Sequence, residues 1–214
     1  MDEYLNEQEQ WDSVRAWLRQ NGVWLVAGVL LAAVGVWGWR AWQAHEETLL
    51  TQASAQYEKL VAAFSRNDLS TVSTLADQLS ADHPGTGYAE QAQLAAARLQ
   101  VENKQLPAAI DRMQKVLAKT SDPELALVVR LRIARTQIEM NKPDDALATL
   151  AAAQPGAFAS RFAEVRGDAL YAKGDRAGAY KAYTEAQAAN AGAPSNGDLL
   201  ALKINSVASA RAAP

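Results

Sequence analysis

The chain has 214 residues, a formal net charge of −3, 49% hydrophobic and 7% aromatic residues, and no cysteine. The missing cysteine excludes disulfides, thiolate-held zinc and a thiol nucleophile, and the lack of any basic block leaves no electrostatic case for nucleic acid. Alanine supplies much of the apolar content and β-branched residues are sparse after the N-terminal apolar run; both favour helices, because alanine loses no side-chain entropy in forming one.

The first element is an apolar run. No residue from Gln20 to Trp39 is charged, and Arg19 and Arg40 bound the stretch. A bilayer core of about 30 Å needs about 20 helical residues, so the run predicts a membrane-spanning anchor over 20–42. Its cationic ends are long enough to reach the headgroups. All six tryptophans lie within the first 42 residues. Trp24 falls near one interface, and Trp39 and Trp42 near the other, as in the aromatic belts of membrane helices. About twenty polar and acidic residues precede the run and no small-residue cleavage site follows it, which argues against a removable signal peptide. Gly28, Ala32 and Gly35 form a small-residue stripe of the kind that lets a second helix approach closely. Arg15 and Arg19 precede the span while Arg40 alone follows it closely. That bias keeps the 1–19 tail inside and places residues 43–214 outside.

The remainder reads as helix after helix. Turn signals recur at Asn67-Asp68, His83-Pro84-Gly85, Asn103-Lys104, Asp122-Pro123, Asn141-Lys142-Pro143, Gln154-Pro155-Gly156, Lys173-Gly174-Asp175 and Ala193-Pro194-Ser195. They predict helices over 43–66, 69–82, 86–103, 106–119, 123–141, 143–153, 157–173, 175–190 and 197–212. No alternating apolar run predicts a strand.

These segments repeat. A small residue (Ala97, Ala134 or Gly167) stands 12 positions before an alanine (Ala109, Ala146 or Ala179), and a bulky residue (Met113, Leu150 or Tyr183) follows four later. The units recur at 37 and 33 residues, close to the period of about 34 in tetratricopeptide repeats. Small side chains let two antiparallel helices approach, and the bulky one fills the space toward the next pair. A degenerate unit comes first, with Leu60, Val72 and Ala76 at the corresponding places and Pro84 closing it. The last segment, from Asp198, is the expected cap on the exposed end of the stack. The fold class is therefore all-α: one transmembrane helix, then a tetratricopeptide-repeat-like α-solenoid of eight or nine helices.

Little in the sequence speaks for chemistry. His45, beside Glu46 and Glu47, lacks further metal ligands at suitable spacing, and His83 reads as a surface residue at a helix end. Asp144-Asp145 opens a helix, where acids favour the helix dipole. There is no phosphate loop and no hydrolase motif, so the expectation is no enzyme, no cofactor and no metal. Stacked helical repeats offer a groove for partner proteins. Helix position alone nominates Gln93, Gln100, Arg130, Gln137, Glu164 and Tyr171 for it.

The whole chain resembles the YfgM family, ancillary subunits of the bacterial SecYEG translocon. The resemblance is carried by the tail Tyr4-Leu5-Asn6-Glu7-Gln8-Glu9-Gln10, by Asn21-Gly22 entering the span, and by Gly38-Trp39-Arg40 leaving it. It implies an inner-membrane protein with a periplasmic domain, associated with the translocon and with a PpiD-type periplasmic chaperone. Such a protein helps pass translocating client proteins, secreted or bound for the outer membrane, to periplasmic chaperones, and is linked to an envelope stress regulator. The competing expectation is a structural scaffold that organises a cell-envelope assembly through its repeat groove.

Overall fold

The computed structural model describes residues 3–189 and 197–209, and every regular element among them is helical. The order is α1 (Glu3–Ser65), α2 (Leu69–Asp82), α3 (Gly87–Glu102), α4 (Leu106–Lys119), α5 (Pro123–Glu139), α6 (Pro143–Ala151), a 3-10 turn (Gly156–Phe158), α7 (Ala159–Ala172), α8 (Arg176–Ala189) and α9 (Gly197–Ser209). The predicted turn at Ala193-Pro194-Ser195 and the predicted helix end at 210–212 lie outside the described residues. The chain divides into two compact units, one ending at Gln52 and the other beginning at Ala53.

In the first unit the apolar run belongs to a longer helix than expected. Instead of an anchor over 20–42 and a separate helix over 43–66, α1 continues unbroken to Ser65. Neither glycine nor proline occurs between Arg40 and Ser65, so nothing interrupts the backbone ladder. The apolar side chains point outward: Val23 and Trp24 are each 79% exposed and Leu31 73%. Leaving such side chains in water forfeits about 1.5–3 kcal/mol apiece relative to burial, a loss that a bilayer removes. This is the one helix among the described residues long and apolar enough to cross a membrane.

In the second unit the helices pair in tandem, and the same joint closes each pair. Asn67, Lys104, Asn141 and Gly174 all hold positive φ, at 57°, 60°, 57° and 87°. Each donates its N–H three residues back, to Phe64, Val101, Ile138 and Tyr171, and the residue after each donates five back, to Ala63, Gln100, Gln137 and Leu170. This is the Schellman arrangement, which satisfies the last carbonyls of one helix while turning the chain into the next. Asp68 and Asp175 then cap the following helices through the N–H groups of Thr71 and Gly178. Thr86 and Asp122 do the same at the starts of α3 and α5.

The small residues lie where the helices meet. Ala97, Ala109, Ala134, Ala146 and Ala179 are all at most 1% exposed, and Gly167 faces the Tyr183 ring. The degenerate first pair is built the same way, with Leu60, Val72 and Ala76 wholly buried. Neighbouring joints are tied along one edge: Asn103 donates to Asn67, Lys104 pairs with Glu139, and Lys173 pairs with Asp144. The terminal helix α9 buries Leu200 and Val207 against Ala163, Ala179, Tyr183 and Ala186. The expectation for His83 also fails. His83 is buried, not superficial, and its Nδ1 has no partner. Its carbonyl accepts from the Thr86 backbone N–H and hydroxyl, which close the 83–86 turn.

Candidate binding surface

A cavity of about 480 Å³ opens in the second unit, with α3 as its floor and α2 and α4 as walls. Its origin lies in the repeat pattern. The tetratricopeptide consensus places tryptophan four residues before the small residue of the first helix and tyrosine three residues after it. Around Ala97 these places hold Gln93 and Gln100. Small neighbours at Ala89 and Ala108 do not make up the missing volume, so the space between α2 and α4 stays open.

The two glutamines differ in what they do. Gln93 is fully engaged: the two hydrogens of its Nε2 are shared among the Ala76 carbonyl (2.9 Å), Asp77 (3.1 Å) and Ser80 (2.9 Å), and its Oε1 accepts from Arg112. Arg112 also pairs with Asp77 at 2.7 Å, and its side chain is only 13% exposed. Burial alone would raise the Asp77 pKa, but the hydrogen bonds from Arg112 and Gln93 outweigh it and hold the carboxyl below its usual range. The result is a rigid polar wall linking α2, α3 and α4. Gln100 lines the same cavity, is 7% exposed, and its Oε1 is buried without a hydrogen-bond partner.

The six residues nominated for the groove do not form one surface. Gln93 and Gln100 meet in the cavity. Gln137, the counterpart of Gln100 in the next pair, is buried and accepts from the Thr149 hydroxyl at 2.8 Å. Arg130 is half-buried on α5, and Tyr171 stands half-exposed on α7. Glu164 is buried and turned toward the cap, where it accepts from Lys203 at 2.8 Å.

That last contact belongs to a second polar cluster. Lys203 on α9 also reaches both oxygens of Asp168, at 2.8 and 2.9 Å, and Tyr183 donates its hydroxyl to Asp168 at 2.8 Å. Burial alone would lower the Lys203 pKa, yet the hydrogen bonds to Asp168 and Glu164 leave it raised. Burial, with the Asp168 bond, pushes Tyr183 far up. The cluster is a saturated clamp that pins the cap to α7 and α8. Arg112, Asp77 and Lys203 escape a reading by helix position because their partners lie 16 to 39 residues away. Among the described residues no group of three or more histidine, aspartate or glutamate side chains is placed to hold a metal ion.

The tetratricopeptide repeat-like domain family matches residues 15–209. The chain is 33% identical over 207 residues to the ancillary SecYEG translocon subunit of Escherichia coli (strain K12), a match spanning 97% of this chain and 99% of that one. The chain belongs to this family. Likewise, it is 30% identical to the ancillary SecYEG translocon subunit of Aggregatibacter actinomycetemcomitans over 95% of this chain and 98% of the other. The Haemophilus influenzae subunit of the same name is 28% identical over the same shares. No solved structure gives a match. These alignments cover nearly the full length of the chain and so take in both the apolar α1 and the paired helices.

Proposed function

We propose that the chain is a membrane-anchored, protein-binding adaptor of the SecYEG translocon, which helps pass secreted and outer-membrane proteins to periplasmic chaperones. The observation that carries this reading is the near-full-length match to translocon subunits, joined to a repeat domain whose polar clusters tie neighbouring helices together. In this arrangement residues 1–19 form a cytoplasmic tail, 20–42 the inner-membrane anchor and 43–214 the periplasmic domain. The orientation is supported by two arginines before the span against one closely after it. A PpiD-type chaperone is the proposed neighbour on the periplasmic side.

Two measurements test this. Protease added to spheroplasts is expected to digest the domain; a protected domain reverses the orientation. Photo-crosslinking from α2–α8 in intact membranes is expected to recover translocon subunits, the PpiD-type chaperone and nascent secretory chains. Recovery of envelope-assembly proteins alone overturns the adaptor reading in favour of a scaffold.

A further inference from the structure

We infer that the open face of α5 and α7 docks an acidic segment of a partner polypeptide. The packing of α5 defines this face. Val129 and Ile133 take its α3 side, Leu131 its α7 side, and Ala134 and Gln137 meet α6. One row is left over: Val128, Arg132, Arg135 and Glu139 lie three or four residues apart, along a single stripe. Arg132 and Arg135 are both exposed. On α7, Ala163 and Gly167 face α8, and Arg161 stands exposed on the opposite side of the helix. Two packed first helices thus turn three guanidinium groups away from their second helices. Among the described residues, none of the three groups has a hydrogen bond or an ion pair.

The acids nearest these arginines are committed elsewhere. Lys104 holds Glu139, Arg98 holds Glu102, and Lys203 holds Glu164 and Asp168. Glu124, at the start of α5, is exposed and eight residues before Arg132, about 12 Å away along the helix axis. Like charges three residues apart on one helix repel. A carboxylate from outside relieves that repulsion, and the planar guanidinium fork is the side chain best shaped to hold one through paired N–H bonds. An anionic bilayer surface carries the same sign of charge, but it would also press on Glu124 and Glu139 in the same row. A peptide can space its carboxylates to meet the arginines and pass these two acids. The inference rests on the adaptor reading only in requiring that this domain bind polypeptide.

The test uses the full chain in phosphatidylcholine nanodiscs, with empty nanodiscs as the blank. Two dye-labelled, blocked octapeptides are titrated by fluorescence anisotropy: Gly-Ser-Glu-Asp-Glu-Asp-Ser-Gly and its amide counterpart Gly-Ser-Gln-Asn-Gln-Asn-Ser-Gly. The acidic peptide is expected to bind about tenfold more tightly than the amide one, and to weaken on the order of tenfold when salt rises from about 50 to about 500 mM. Arg132→Gln with Arg135→Gln is expected to remove the preference, and Arg132→Lys with Arg135→Lys, which keeps the charge, to retain part of it. Arg176→Gln with Lys181→Gln removes the same charge from exposed places on α8 and is expected to leave binding as in the parent. Equal affinity for the two peptides overturns the assignment, as does binding that survives loss of both α5 arginines or an equal loss in the α8 pair. Phosphatidylglycerol vesicles that displace the acidic peptide from the parent chain overturn it in favour of a membrane surface. Translocon recovery by crosslinking is scored separately on the unmodified chain. Its loss with the peptide response intact removes the adaptor reading alone, and the converse removes the acidic-segment site alone.

Discussion

Gly167→Ala is the sharpest probe of how the helices pair. A Cβ at this position would stand 2.5 Å from Cδ1 and 3.0 Å from Cζ of Tyr183, where carbon atoms settle at about 3.5–4.0 Å. The ring would have to retreat by about 1 Å. It has little room to do so, being 3% exposed with its hydroxyl held by Asp168. Overpacking of this kind costs about 1–3 kcal/mol. Replacing glycine inside a helix returns about 0.5–1 kcal/mol, so the net loss centres near about 1 kcal/mol and reaches about 2.5 kcal/mol at most. For a domain of this size each kcal/mol lowers the melting temperature by about 2–4 °C, which predicts a fall of about 2–4 °C at the centre of that range. Thermal unfolding of the full chain in detergent, followed by circular dichroism, reads it directly. Gly87→Ala, where an added Cβ meets nothing within 4 Å, serves as control and is expected to leave the melting temperature level or slightly higher. A Gly167→Ala chain that melts at or above the parent temperature would mean that α7 and α8 do not meet at this residue.

The remaining expectations concern the joints and the cap. Lys104→Gly is expected to stabilise by about 0.5–1 kcal/mol, since a left-handed residue other than glycine costs about 1–2 kcal/mol and the Lys104–Glu139 pair it sacrifices is exposed and so contributes little. Gly174→Ala is expected to destabilise by about 1–2 kcal/mol for the same reason, and denaturant melts of both variants check the pair. Lys203→Met leaves Glu164 and Asp168 without their cation and should cost about 2 kcal/mol or more; adding Glu164→Gln and Asp168→Asn should recover much of it. Lys203 and Tyr183 both hold their protons more tightly in the folded chain. The stability this confers is complete below the ordinary values of about 10 and is lost as pH rises through the folded ones. Alkaline melting should therefore fall off less steeply in Lys203→Met than in the parent, and equal slopes would dismiss the coupling.

The period of the fold is legible in the sequence because each unit needs small side chains at two fixed places. Ala97 with Ala109, Ala134 with Ala146, and Gly167 with Ala179 announce themselves by a spacing of 12. The joints are legible as turn residues, but their shared geometry is not: Lys104 holds the same left-handed conformation as Asn67, Asn141 and Gly174, and nothing in a lysine signals that. The unbroken run of α1 past Trp42 escapes a sequence reading because a change of surroundings, from lipid-facing to domain, leaves no mark when the local sequence keeps favouring helix. The cavity is hidden for another reason. Gln93 and Gln100 look like ordinary polar helix residues until each is seen to occupy a place made for an aromatic ring, and the Arg112–Asp77 pairing that holds Gln93 joins residues 35 apart.

The repeated joint bears on how such a chain changes length. Each Schellman turn settles the last carbonyls of one helix with its own amides, so the corner inside a helical pair draws no backbone partner from the pairs beside it. Duplication or loss of one 33- or 37-residue module therefore leaves the corner inside each surviving pair intact, and growth of the array is limited by the links between pairs and by what covers its last open face.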